Sequence, residues 1–226
     1  MSNISIQNDA REAQYKEAKS LYIHRQLPEA LAAFEALGDY KNAADYLEKC
    51  RQLERFQIGE TVEYGSWKGE ALRGKVADER GKMRLLISEK VIAKQPYNDV
   101  LTDTSWKECS LRAWLNDSFL KEAFSPKEQK TLMSSLVRNL RNPRYYSSGG
   151  FDSLDKLFIL NSEELEKYLP TAEDRRMDGW WWLRLPGSNL FSAVAVYADG
   201  TVYDPGIHVN YEEGGVRPAM WVMLGV

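Results

Sequence analysis

Two cysteines and two histidines are all that this chain of 226 residues offers for soft-metal ligation or for activating a nucleophile. Cys50 and Cys109 are far apart and in no C-x-x-C arrangement. That argues against a zinc ribbon or a dithiol redox pair and fits a reducing compartment in which each is a small buried thiol. With His24 and His208 alone, a two-histidine zinc site or a Ser-His-Asp arrangement has almost no material, so neither a metal nor a cofactor is expected. His24 is placed at a helix end, His208 in a loop. Long apolar runs are missing too. Residues 1–11 are polar and lead into a helical pattern, which predicts neither a secretion leader nor a membrane anchor and makes the cytoplasm the expected location. Charge of one sign is also lacking. The formal net charge of -3 is spread through the chain, leaving no strong field to draw in nucleic acid or anionic lipid.

The 43% hydrophobic and 28% charged residues are those of an ordinary globular protein. Aromatic residues are plentiful, with seven Trp and twelve Tyr, and such rings serve both cores and binding surfaces. From about residue 9 to 54 the periodicity is helical. Tyr15, Ala18, Leu21 and Tyr22 share one face and Ala30, Phe34 and Leu37 another; Pro28 opens the second helix, Gly38-Asp39 punctuates, and Ala43, Ala44, Tyr46 and Leu47 follow. The order of these residues resembles a tetratricopeptide-type helix pair with the next helix begun, about one and a half repeats. Such units need about three to bury a continuous face. The 1–55 module is therefore expected to dock on a partner, on its own second domain or on another copy, giving a possible homo-oligomer.

Near residue 56 the pattern changes, and 56–226 reads as one α+β domain. Short strands are predicted at 61–64, 75–77 and 83–87, with glycines between them. An amphipathic helix follows over 110–124, and Ser125-Pro126-Lys127-Glu128 is a capping-box start for a second helix running to about 138. A polar loop over 142–150 precedes a strand at 157–160 and a short helix from Ser162. Then come a strand around Val194 and Val196, the Asp199-Gly200 turn, a return over 201–203, and a closing strand at 219–224.

Four ordered motifs carry a resemblance: Trp106 with Leu111-Arg112-Ala113-Trp114-Leu115-Asn116 and Ala123-Phe124-Ser125; Asp155-Lys156-Leu157-Phe158-Ile159-Leu160-Asn161; Trp181-Trp182-Leu183-Arg184-Leu185-Pro186-Gly187; and Gly215-Val216-Arg217-Pro218-Ala219-Met220-Trp221. Over about 58–224 the chain resembles the bacterial family catalogued as domain of unknown function 6273. Leu185 stands where that family shows Ser, and Gly74 where it shows Trp. The ending of the family is similar to C-type-lectin-like domains of the formylglycine-generating kind, which implies a lectin-like mixed frame and often a binding role, but no activity. Formylglycine generation needs two neighbouring copper-binding cysteines, which the C-terminal region lacks. Calcium-dependent sugar binding needs clustered oxygen ligands on a loop, whereas Trp114-Leu115-Asn116-Asp117 is only a helical lookalike.

Three arginines, Arg138, Arg141 and Arg144, recur every three residues, as a solvated helix face or a short cationic ridge for a phosphate or carboxylate. Arg184 and Arg217 sit in apolar motifs, so each is expected to pair with a buried carboxylate such as Asp155 or Asp178. With Trp182 and Trp114 they form the expected structural set. In a strand Trp181 must face away from Trp180 and Trp182. It is expected to make an aromatic floor under two loops whose composition suits recognition: Ser188 and Asn189 in one, Tyr203, His208, Asn210 and Tyr211 in the other. The functional expectation is a non-catalytic module binding a protein or small ligand there. The alternative is a hydrolase or transferase with an unrecognised carboxylate site.

Overall fold

The computed structural model describes residues 3–225, with side chains from residue 7 onward. It divides into a helical unit running to Glu60 and including Leu224 and Gly225, and a strand domain spanning Thr61–Met223. The division falls a few residues beyond the expected 55/56, and the end of the chain belongs to the helical part.

Three helices make the first unit: α1 (Asn3–Ile23), α2 (Leu27–Leu37) and α3 (Ala43–Arg55). Pro28 lies in the first turn of α2, where its missing N–H costs no hydrogen bond, and Gly38 ends that helix at φ 57°. Tyr15, Ala18, Ala30, Phe34, Leu37, Ala43 and Cys50 form the core. The alanines allow the helices to approach closely, and Phe34 stacks on Tyr46 with ring centres 5.1 Å apart.

The strand domain begins with an antiparallel meander of β1 (Thr61–Trp67), β2 (Glu70–Arg80) and β3 (Met83–Ser88), followed by the short β4 (Ala93–Lys94). A helix comes next as α4 (Ser110–Trp114), a π turn (Leu115–Phe119) and α5 (Leu120–Ala123). The capping box at Ser125 starts α6 (Pro126–Thr131): the Ser125 hydroxyl accepts from the Glu128 amide while Glu128 accepts from the Ser125 amide at 2.8 Å. This helix ends seven residues short of the expected 138. From Leu132 the chain forms β5 (Leu132–Met133), hydrogen-bonded to the last strand, and then β6 (Ser135–Val137). Leu136 is exposed and Val137 buried, so a period of two has replaced the helical one and tertiary pairing overrides local propensity. The anion ridge accordingly does not form on a helix.

After a long loop come β7 (Ser153–Asp155), which pairs with β6, then β8 (Leu157–Ile159), α7 (Ser162–Tyr168) and α8 (Ala172–Arg175). The chain ends with β9 (Trp181–Pro186), β10 (Ser192–Val196), β11 (Val202–His208), β12 (Gly215–Val216) and β13 (Pro218–Met223). One sheet has the order β1-β2-β3-β13-β5, with β8 also paired to β13; the other runs β11-β10-β9-β12-β4. The last two strands are almost continuous, so one segment crosses from the second sheet to the first, with Arg217 at the crossing.

Both faces of β9 and β10 are covered, and every residue of the two strands is buried. Trp181 does face away from Trp180 and Trp182, whose rings meet at 4.6 Å. The far side is closed too, however: the Trp181 indole N–H donates to the Arg175 carbonyl at 3.1 Å and the Arg217 guanidinium lies 5.1 Å above the ring. Trp181 is fully buried and makes no floor for an exposed site.

The buried arginines find other partners than those expected. Arg184 pairs with Glu164 at 3.0 Å and donates to the carbonyls of Ile159 and Arg138. Arg217 donates to the carbonyls of Ser88 (2.8 Å) and Asp174 (3.3 Å) and, among the described residues, has no carboxylate within ion-pair distance. Burial pulls its guanidinium down to about 10. Asp155 serves Arg112, at 2.7 Å, together with the Trp106 indole and the Ser153 hydroxyl, so its charge is buried but fully bonded.

Candidate functional site

The loops at one end of β9, β10 and β11 are tied into a single surface. Asn142 is its pivot, buried to 1% exposure in the Asn-Pro turn that opens the 142–150 loop. Its side-chain amide donates to the carbonyls of Pro186 (2.9 Å) and Asp204 (3.3 Å), and its oxygen accepts the amides of Arg144 and Tyr145. One side chain thus joins its own loop to β9 and β11 with all its hydrogen-bonding capacity used. The Ser147 hydroxyl donates to the Gly187 carbonyl, and the Ser188 amide to that of Pro205 at 2.8 Å. Gly187 has to be glycine, because a Cβ there would run into the Pro205 carbonyl and the Ser192 hydroxyl.

A second set of bonds brings in the 95–105 segment. The Val209 amide donates to Phe191 O at 3.0 Å, Asn98 N to Val209 O at 2.8 Å, and Thr104 N to Leu190 O at 2.9 Å. Val209 is fully buried and pins the turn that carries Asn210 and Tyr211. Loops held this way are already ordered, so a contact made on them would cost little further entropy.

On this frame Ser188, His208, Asn210 and Tyr211 are exposed and Asn189 is half-buried. His208 is the last residue of β11 rather than a loop residue, and its ring lies 5.7 Å from Phe191. Asn210 borders a shallow depression of about 400 Å³ with Gln95, Asp99 and Glu212. Tyr203 stands apart: β11 is longer than expected and places Tyr203 toward the Asp199-Gly200 turn, 5.2 Å from the Tyr197 ring. Five of the six loop residues therefore gather, and Tyr203 does not join them.

Next to Leu190 a second depression, of about 210 Å³, is walled by Asp103, Ser105, Glu108, Ser148 and Phe151. The Phe151 side chain is 78% exposed, with the Lys107 ammonium 5.4 Å from its ring. Nearby in the chain, Leu136 and Leu154 sit opposite each other on the β6–β7 ribbon, each about two-thirds exposed. Sequence reasoning passed over Phe151 and the 95–105 segment. The available signal was a large apolar residue directly following a Gly-Gly pair in a polar loop, where no core periodicity asks for one.

Several acid–base groups near these loops are held in structural contacts. Glu164 is held by Arg184 and by the α7 capping box, and Glu213 by Lys94 at 2.6 Å. Arg141 and Arg144 lie over Tyr146 and Tyr145. Cys109 caps α4 with its sulfur, and burial pushes its thiol up to about 12, away from nucleophile chemistry. Among the described residues no three His, Cys, Asp or Glu side chains converge on a point, and no helix is long and apolar enough to cross a membrane.

A family model described as domain of unknown function (DUF6273) matches residues 82–224. The match starts after β1 and β2, later than the 58 at which the sequence resemblance was drawn. No curated protein and no solved structure matches the chain.

Proposed function

Because the chain belongs to the family described as domain of unknown function 6273, which carries no assigned activity, we propose from geometry alone that its strand domain is a non-catalytic recognition module. The ligand surface is the tied loop cluster around Leu190 and Val209, and the ligand a protein segment or small molecule with an apolar group for Phe151. The observation that carries this is the cross-bonding of four separate loops through Asn142, Ser147, Ser188 and Val209 beneath side chains that remain exposed. Rigid frames with exposed aromatic and amide side chains on their loops are built for contact. The buried carboxylate Asp155 is saturated by donors, which favours this reading over a carboxylate-based enzyme.

We also read the frame as C-type-lectin-like, supported by a tryptophan-bearing β9, the β10–β11 hairpin and a final strand entered through Arg217-Pro218. The helical unit is read as tetratricopeptide-like and used for tethering, supported by its antiparallel α1–α2 pair followed by α3. Two free, buried cysteines support a cytoplasmic location. Panning a random-peptide phage library and thermal-shift screening of simple sugars, both on the full chain, test the recognition reading. Selected peptides or sugars should lose binding to a Phe151→Ser, Tyr211→Ala double variant and keep it with Lys68→Ala on the distant β1–β2 turn. Equal binding to all three proteins refutes it.

A further inference from the structure

Two aliphatic side chains, Val100 at 64% exposure and Leu101 at 49%, stand on the segment that borders both depressions of the loop surface. Asp99, just before them, lines the larger depression. Asp103, just after them, lines the smaller one, where Phe151 is also exposed. The segment is fixed: the Asn98 side-chain amide donates to the Val100 carbonyl at 2.8 Å, and the Asp99 amide to the Ser110 hydroxyl at 2.9 Å. An ordered apolar strip thus lies between two hollows, and apolar surface held out in water in this way marks a contact site.

Charge decides what such a surface accepts. Five carboxylates line the depressions, Asp99, Glu212 and Glu213 in one and Asp103 and Glu108 in the other, against the single cation Lys94, which Glu213 pairs. Lys107 adds one positive charge beside the Phe151 ring. With Lys107 counted, this one surface holds as much net negative charge as the whole chain, -3. Asp99, Asp103, Glu108 and Glu212 are exposed and, among the described residues, have no cation within ion-pair distance.

We propose that this surface docks a basic segment of a partner protein in which Lys or Arg residues flank an apolar one. The apolar side chain covers Val100 and Leu101, and the flanking cations meet carboxylates in the two depressions. The proposal rests on the recognition reading of the loop surface and names the class of partner that surface takes. The spacing suits it. Asp99 and Asp103 are four residues apart, so their Cα atoms are separated by at most about 14 Å, and residues four apart in an extended peptide span about 13 Å. Nucleic acid and anionic lipid meet repulsion from the unpaired carboxylates. A neutral apolar segment gains the strip alone.

The test uses the full chain and a fluorescent peptide repeating Lys, Ser, Leu and Ser, with binding followed by anisotropy at low salt. Saturable binding that weakens as salt is raised is expected, with none when Glu replaces each Lys. Neutralising both carboxylates, Asp99→Asn with Asp103→Asn, removes two exposed ion pairs and should raise Kd about tenfold. Leu101→Ser should raise it about threefold through lost apolar contact. Glu70→Gln, at the start of β2, should leave Kd unchanged, and tryptophan fluorescence and circular dichroism of all variants should match wild type. The proposal is overturned if wild type fails to bind the Lys-Ser-Leu-Ser peptide, if the double neutralisation leaves Kd unchanged, or if spermine at equal charge displaces the peptide as well as the unlabelled peptide does. If peptides selected from the random library depend on Phe151 and Tyr211 but carry no basic residue, the recognition reading stands and the basic partner is refuted.

Discussion

In the strand domain, Arg84, Arg184 and Arg217 are no more than 5% exposed and are met by backbone carbonyls, with Glu79 and Glu164 pairing the first two. In the helical unit, Lys19 and Lys49 are half-buried, with their ammonium groups beside the Tyr46 ring. Both solve the problem of placing a cation beside apolar matter. The planar, multi-donor guanidinium can be taken inside because several carbonyls replace its water, whereas the compact, strongly hydrated ammonium stays where water reaches it. The buried arginines are thus part of the architecture, and the lysines stay at its margin. Tryptophan makes the comparison measurable: all seven lie in the strand domain, so their fluorescence reports that unit, while helical circular dichroism weights the other.

The sharpest break should come from Arg184→Met. It removes the cation from Glu164 and leaves the carbonyls of Ile159 and Arg138 without this donor. Breaking a buried pair costs about 3–5 kcal/mol, and because the Glu164 side chain keeps 29% exposure and can rehydrate, about 3 kcal/mol is expected. Denaturant unfolding followed by tryptophan fluorescence measures it. A loss below about 1 kcal/mol would show that the arginine is not structural.

Alkaline pH should weaken the strand domain next. Burial raises the Cys109 thiol from 9.0 to about 12 and the Tyr64 phenol from 10.0 to about 12. Both groups hold their protons more tightly folded than unfolded. Their contribution is complete below pH about 9 and is lost progressively as pH rises toward about 12. The fluorescence-detected midpoint should therefore fall through this range, and Cys109→Ala should flatten the lower part of the fall. An unchanged slope in that variant would reassign the effect to other groups.

Arg217→Lys should cost less than losing Arg184, about 2 kcal/mol. The lysine keeps the charge and part of the Trp181 contact, but a single ammonium cannot reach both the Ser88 and Asp174 carbonyls in the geometry of the planar fork. If Lys replaced Arg without loss, charge over the indole rather than hydrogen bonding would be what holds the crossing between sheets.

Much of this frame was legible in the sequence where one local rule decided the outcome. The Ser125 capping box, the Asp199-Gly200 turn and the shift from period 3.6 to period 2 near residue 56 are short-range signals, and the elements appear where those signals put them. What escaped depended on distant partners. The segment after Thr131 reads as helix until β13 offers it a ladder, and Trp181 reads as an exposed ring until α8 and Arg217 close over it. Within the loop surface, composition singled out the residues at 188–189 and 208–211. Asn142 was not recognisable as the pivot, because its partners Pro186 and Asp204 lie more than forty residues away in the chain. Phe151 was missed for the converse reason: an apolar residue outside any periodic pattern is invisible to a search for cores.

The smallest effect, and the most direct check on the contrast between the units, is Lys49→Met. The substitution gives up a surface cation–π contact with Tyr46, roughly 0.5–1 kcal/mol at such sites. It also removes the repulsion between Lys49 and Lys19, and the Met stem keeps covering the ring. The two terms oppose each other, so the net change in the stability of the helical unit should stay within about 0.5 kcal/mol. Because repulsion is screened more readily than a contact at the ring face, high salt should make the variant slightly less stable relative to wild type than low salt does. Thermal melts by circular dichroism at two salt concentrations resolve the sign. A loss comparable to that of Arg184→Met would mean that the lysines of the helical unit, like the arginines of the strand domain, hold the fold.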